Sequence, residues 1–122
     1  MANAIITVAL LHKKQNPMKE LEKLDREKLV GPVIRGVDKE IAEALLEAIE
    51  EDNPEVDVYV EDRGGYIRIA CPKRCRVTRK TLEDILQRSF RLSELEPALS
   101  AFAGRMKYIG DEEIVWYLER ED

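Results

Sequence analysis

Three side chains in this 122-residue chain could act as soft metal ligands, nucleophiles or neutral-pH proton carriers: His12, Cys71 and Cys75. A structural zinc site takes four Cys or His ligands. This chain has three, with His12 remote from the other two. A Ser-His-Asp or Cys-His arrangement would have to recruit His12, which sits in a Lys-rich N-terminal stretch. The Cys71-Pro72-Lys73-Arg74-Cys75 spacing is not the C-x-x-C of a thioredoxin-type site, and Lys73, Arg74 and Arg76 would at most lower a thiol pKa. The residues read as two reduced thiols, structural or merely incidental. No G-x-G-x-x-G or Walker A sequence occurs, and Gly64-Gly65 reads as a turn. None of these patterns assembles a nucleophilic triad, a four-ligand zinc site or a phosphate-binding loop.

The chain that carries these residues is one domain long. At 14.1 kDa, size scaling gives about 20,000 Å² of surface unfolded and about 6,700 Å² folded, so roughly two-thirds is buried without help from disulfides or metal. With 44% hydrophobic and 37% charged residues, it reads as neither disordered nor membrane-embedded. The longest apolar run, Ala4–Leu11, is far short of the roughly 20 residues needed to cross a bilayer. It also lacks the preceding cations and cleavage site of a secretory signal. A cytoplasmic location is predicted.

Charge comes in blocks. Residues 1–35 are net +3, residues 36–62 net −10, residues 63–91 net +7 and residues 92–122 net −5. Such asymmetry steers encounter with partners more than it adds affinity. Whether the cations share a surface depends on the fold; otherwise they are solvated faces of separate elements.

Residues 1–29 read as a partly mobile N-terminal extension, with Met18, Leu21 and Leu24 spaced for a short amphipathic helix. Residues 30–35 (VGPVIR) read as a strand that Pro32 confines to a sheet edge. Asp38 is placed to cap a helix over 39–51, whose apolar stripe is Ile41, Leu45, Ala48 and Ile49; Asn53-Pro54 stops it. Val56, Val58 and Val60 alternate, as do Ile67, Ile69 and Cys71 across a Gly-containing turn, which is a β-hairpin signature. The CPKRC segment reads as a loop, followed by extended Arg76–Thr78 and a helix over 80–89. Ser93 and Glu96 form a capping-box pattern opening a second helix with Leu95, Leu99 and Phe102 inward and Gly104 as its stop, although Pro97 is awkward there. A second hairpin, RMKYI and EIVWYLE, ends the chain. The order β-α-β-β then α-α-β-β predicts an α+β fold, mostly antiparallel sheet against helices.

Five of these segments in order carry a resemblance. They are Val30–Arg35, Ile49–Pro54, Val60–Arg63 with Tyr66–Ile69, Thr78–Glu83, and Ser100–Gly104. Together they resemble the effector proteins, also called coupling or regulatory proteins, of soluble bacterial multicomponent diiron monooxygenases, and most of all the toluene monooxygenase branch. The resemblance implies a 30–122 effector domain with no cofactor and no activity of its own, a monomer when free. It implies that the partner is the diiron hydroxylase component, where electron delivery and O₂ activation are coupled to hydroxylation of an aromatic or alkene hydrocarbon. The 29 residues before VGPVIR are longer than the branch implies; a tail in some relatives orders on the hydroxylase, and this one either does likewise or packs on its own domain. The CPKRC segment also departs from the branch, and nothing transfers to it.

On that resemblance the docking candidates are Val30, Gly31, Pro32, Val33, Ile34 and Arg35; Asn53 and Pro54; Tyr59, Glu61, Arg63, Tyr66 and Arg68; and Arg79, Lys80, Glu83 and Gln87. Each has a competing reading. Val33 and Ile34 suit strand core, Asn53 suits a helix stop, and Tyr66 and Arg68 suit cross-strand pairs with Tyr59 and Glu61. Phe102 and Trp116 read as core. Arg79 opposes the dipole of the helix it opens, so local stability does not account for it. The rival class is a small binding module that uses the basic 63–91 block to dock an acidic protein or nucleic acid. The acidic balance of the whole chain, pI near 5.1, argues against nucleic acid.

Overall fold

Two β-sheets share one core, and the strand containing Pro32 runs inside the larger of them. The structure, a computed structural model, describes residues 15–16 and 28–118. Its elements are β1 (Gln15–Asn16), β2 (Leu29–Arg35), a 3₁₀ turn (Gly36–Asp38), α1 (Lys39–Asp52), β3 (Val58–Asp62), β4 (Tyr66–Pro72), β5 (Arg74–Thr78), α2 (Arg79–Leu86), a 3₁₀ segment (Leu92–Ala98), β6 (Leu99–Ala103), β7 (Arg105–Ile109) and β8 (Glu113–Tyr117). The larger sheet has the order β1-β3-β4-β2-β6 and the smaller β5-β8-β7. The expected helix around Met18–Leu24, and most of the extension, lie outside the described residues. The α+β architecture with antiparallel pairing is as the alternation predicts, with β1 and β3 as the parallel exception.

Four local expectations are corrected. First, β2 is not an edge strand: it pairs with β4 on one side and β6 on the other. Its register with β4 holds at Val30↔Cys71 and resumes at Val33↔Arg68, so Pro32, with no N–H, falls in a gap of that ladder. Gly31 makes the gap possible. At φ +152° it approaches β4 so closely that a Cβ would sit 2.1 Å from the Ile69 carbonyl oxygen.

Second, the helix expected after Ser93 is a 3₁₀ segment that gives way at Leu99 to β6. Pro97 cannot donate within a helix, and the uncharged Leu99–Ala103 stretch finds its partners on β2 instead. Phe102, expected inside, is 45% exposed. Third, CPKRC is not a loop but a corner at which the chain changes sheets. Lys73 turns it at φ +66°, and its N–H donates to the Lys28 carbonyl at 2.5 Å. Cys71 and Cys75 flank the corner, free and fully buried. Burial pushes the Cys75 thiol up, and a hydrogen bond with Cys71 adds to this. Both thiols are packing groups of the core. Fourth, Asp38 makes no capping bond to α1; its carboxylate accepts from Arg35 Nε at 2.9 Å.

The core lies between the sheets and under α1. Val30 and Ile34 from β2, Leu45 and Ile49 from α1, Ile69 and Cys71 from β4, and Ile114 and Trp116 from β8 are all fully buried. The acidic stripe Glu40, Glu43 and Glu47 faces water, as the helical spacing requires. α2 is capped by Thr78, whose hydroxyl accepts from the Thr81 N–H at 3.3 Å. It ends before residue 89, because Gln87 adopts a left-handed conformation at φ +60°.

Candidate docking surface

Alternation along the strands sorts the candidate residues before any partner is considered. On β2, β3 and β4, Val30, Ile34, Val58, Val60, Ile67, Ile69 and Cys71 face the core. Val33, Arg68 and Glu61 then lie side by side on the opposite face, joined there by Ala101 of β6. Arg35 and Tyr66 form the next row toward the end of the sheet. The structure thus brings Val33, Arg35, Glu61, Arg63, Tyr66 and Arg68 onto one outer face and its adjoining tip. Glu61 also pairs with Arg63.

That tip is built from two turns in contact. In the β3–β4 turn, Asp62 Oδ1 accepts from the Gly64 N–H at 2.7 Å, and the Arg63 N–H donates to the Tyr66 carbonyl at 2.9 Å. The Gly36 N–H crosses from the 3₁₀ turn to the Gly65 carbonyl at 2.9 Å. A Cβ on Gly36 would lie 1.8 Å from the Gly64 carbonyl oxygen, so glycine is required for the two turns to meet. Val37, absent from the sequence-derived candidates, projects here 83% exposed. The available signal was an apolar residue between a turn glycine and a helix-opening acid.

Other candidates are interior. Val30 and Ile34 are fully buried; Gly31, Pro32 and Tyr59 are buried within the larger sheet. Tyr59, at 6% exposure, packs with Leu29 and Ala70. Asn53 is buried and acts as a stitch. Its Nδ2 donates to the carbonyls of Ile49 at 2.6 Å and Arg76 at 2.8 Å, while its Oδ1 accepts from the Arg76 N–H at 3.2 Å. The helix-stop reading captures half of that role; the other half is a ladder to β5. Pro54 beside it is exposed. Next to Asn53, the Asp52 carboxylate accepts from the Thr78 N–H at 2.8 Å and from the hydroxyls of Thr78 at 3.1 Å and Thr81 at 2.8 Å. Arg76 completes the junction, donating to Glu113 at 2.5 Å and to the Asp52 carbonyl at 3.1 Å. The Glu113 hydrogen bond is the main reason the Arg76 guanidinium is held more firmly protonated than usual.

Arg79, Glu83 and Gln87 repeat every fourth residue along α2, with Lys80 exposed beside them. Arg79 has a local partner that the dipole argument leaves out. Its Nε donates to Glu83 Oε2 at 3.1 Å, and the same carboxylate accepts the Phe90 N–H at 2.9 Å. The Phe90 hydrogen bond first, then Arg79, lowers the Glu83 pKa. α2 packs on α1 and β5, so these residues form a stripe of their own.

The basic 63–91 block does not form one surface. Arg63 pairs with Glu61, Arg76 with Glu113, Arg79 with Glu83 and Arg88 with Glu94, each on a different element. Arg74 and Arg76 instead share the outer face of the smaller sheet with Arg105 and Lys107, by register across β8. Lys107 Nζ stands 4.9 Å from the centroid of the Tyr117 ring. Among the described residues no group of three or more His, Cys, Asp or Glu is placed to hold a metal. No described helix is long and apolar enough to cross a membrane.

The fold is that of the regulatory components of multicomponent monooxygenases. The fold matches a chain of a phenol hydroxylase–regulatory protein complex with TM-score 0.62 and 27% identity, over 75% of this chain and 99% of that one. A second such complex matches at TM-score 0.58 and 29% identity, over 73% and 98% of the two chains. The soluble methane monooxygenase regulatory protein B shares the fold, with TM-score 0.55, 23% identity, and 79% and 69% coverage. The chain belongs to the MmoB/DmpM family, whose model matches residues 28–117. It is 46% identical over 91 residues to the effector subunit of the alkene monooxygenase system of Xanthobacter autotrophicus strain Py2, covering 75% of this chain and 87% of that protein. It is a regulatory, non-catalytic component of a monooxygenase system.

Proposed function

We propose that the chain docks on the diiron hydroxylase component of its own monooxygenase system and couples NADH-derived electrons and O₂ activation to hydrocarbon hydroxylation. The observation that carries this is the 46% identity to an alkene monooxygenase effector subunit across most of both chains. The docking surface in this reading is the outer face of the larger sheet with its tip: Val33, Arg35, Glu61, Arg63, Tyr66 and Arg68. Such a protein acts by binding two states of the hydroxylase unequally. Moving a population from 1:99 to 99:1 takes about 5.5 kcal/mol of differential binding, within reach of one modest interface. No reactive group of its own is needed.

The same reading makes residues 30–122 the effector domain, residues 1–29 an extension, the free protein a monomer, and the location cytoplasmic, where NADH is available. The substrate is a hydrocarbon. The sequence resemblance favours an aromatic one and the 46% identical relative an alkene. The test is product formed per NADH in a reconstituted hydroxylase and reductase system, with this protein titrated in against toluene and a short alkene. Coupling that rises and saturates near one chain per active site is expected. No stimulation and no complex by size exclusion would overturn the reading.

A further inference from the structure

Val37 is the most exposed large apolar side chain among the described residues, at 83%, and belongs to neither hydrophobic cluster. It is not a loosely held residue. The Gly36 to Gly65 bond ties its turn to the hairpin, and the Arg35–Asp38 ion pair at 2.9 Å closes around it. An apolar side chain held in water contributes nothing to the fold. A turn already pinned loses little further entropy on association, so the arrangement suits recognition.

Single exposed apolar residues are ordinary and need no explanation. Val37 is not alone. Tyr66, 40% exposed, stands on the adjoining turn opposite Arg35, and Gly64 and Gly65 offer bare backbone beside it. Two guanidinium groups border this apolar step, with side chains 51% exposed at Arg35 and 65% at Arg63. Each uses its Nε on a neighbouring carboxylate. An apolar centre with an arginine border is the anatomy of an interface hot spot.

We infer that Val37 is the anchor of the docking surface, seating with Tyr66 in an apolar socket on the hydroxylase; this rests on the docking reading above. The experiment uses full-length protein and the cognate hydroxylase, comparing wild type with Val37→Asp, Val37→Ser and Val37→Ile by direct binding and by half-saturation of coupled turnover. Val37→Ser should weaken binding about tenfold (~1.4 kcal/mol). Val37→Asp should weaken it by about thirtyfold or more, and Val37→Ile should stay within about twofold. Tm should remain within about 2 °C of wild type throughout. Wild-type saturation with unchanged Val37→Ser and Val37→Asp titrations overturns the anchor and leaves the docking reading standing. A loss confined to Val37→Asp overturns it too, since charge repulsion alone would explain that result. Failure of the wild type itself to bind overturns the docking reading first and the anchor with it.

Discussion

The two ends of α1 use similar residues for opposite purposes. At its C-terminus Asp52 and Asn53 are tied to β5 and α2 by bonds spanning 23 to 29 residues of sequence. At its N-terminus Arg35 and Asp38 bond each other across three residues, beside an exposed Val37. A polar group whose partners are distant and half-buried holds elements together, and losing it leaves other groups unsatisfied. A polar group paired locally in water stabilises little and stays available for a partner. The type of residue does not distinguish these roles; the location of its partners does.

That contrast breaks most visibly at Asn53. Asn53→Ala should leave the Arg76 N–H and carbonyl unmatched, cost about 3 kcal/mol and lower Tm by roughly 10 °C, read by calorimetry. Asp52→Ala comes next, at about 2 kcal/mol for three lost bonds to Thr78 and Thr81, also read by Tm. If either variant melts like wild type and loses only hydroxylase affinity, the C-terminal end of α1 belongs to the interface. At the other end Arg35→Gln should cost no more than about 0.5 kcal/mol of stability while slowing association with the hydroxylase at low salt in stopped-flow mixing.

The smallest effects sharpen the comparison through pH. The Glu83 pKa is depressed in the folded protein by the Phe90 N–H and Arg79. Its stabilisation is therefore complete above the ordinary Glu range, near pH 4.3, and fades as pH falls through the folded value. Glu83→Gln should flatten the acid limb of Tm against pH below about pH 5. Arg79→Ala should lower Tm by about 2 °C at neutral pH with hydroxylase affinity unchanged. Tyr108 is pushed up to about 12, by burial first and then by its hydrogen bond to Glu96 at 2.6 Å. Its stabilisation is intact below the ordinary tyrosine value and lost as pH rises through the folded one. Ultraviolet titration of wild type against Tyr108→Phe should show Tyr108 ionising late.

Much of this was legible in the sequence. Period-two alternation in Val56–Val60 and Ile67–Cys71 marks both the hairpin and its buried face, and the stripe on α1 marks its core side. Family membership was legible too, because five short segments keep their order. Pro32 misled because its missing N–H was taken to require an edge, whereas the gap in the β2–β4 ladder accommodates it. The Ser93–Gly104 segment misled because a capping-box pattern is local, while pairing of Leu99–Ala103 with β2 is not. Among the candidate residues, Asn53 and Tyr59 could not be separated from Arg63 and Tyr66 by type; burial separates them.

The sequence by itself determined the β3–β4 hairpin, α1 and which of their faces are apolar, and it holds one histidine and two cysteines. Those properties follow from periods of two and 3.6 residues and from residue counts. Only the tertiary structure decided that two turns meet at Gly36 and Gly65 to present Val37, and that the basic block disperses among acids on four elements. It also decided that Asn53 reads the backbone of β5. Each depends on pairings between residues far apart in the chain, and no local pattern encodes those.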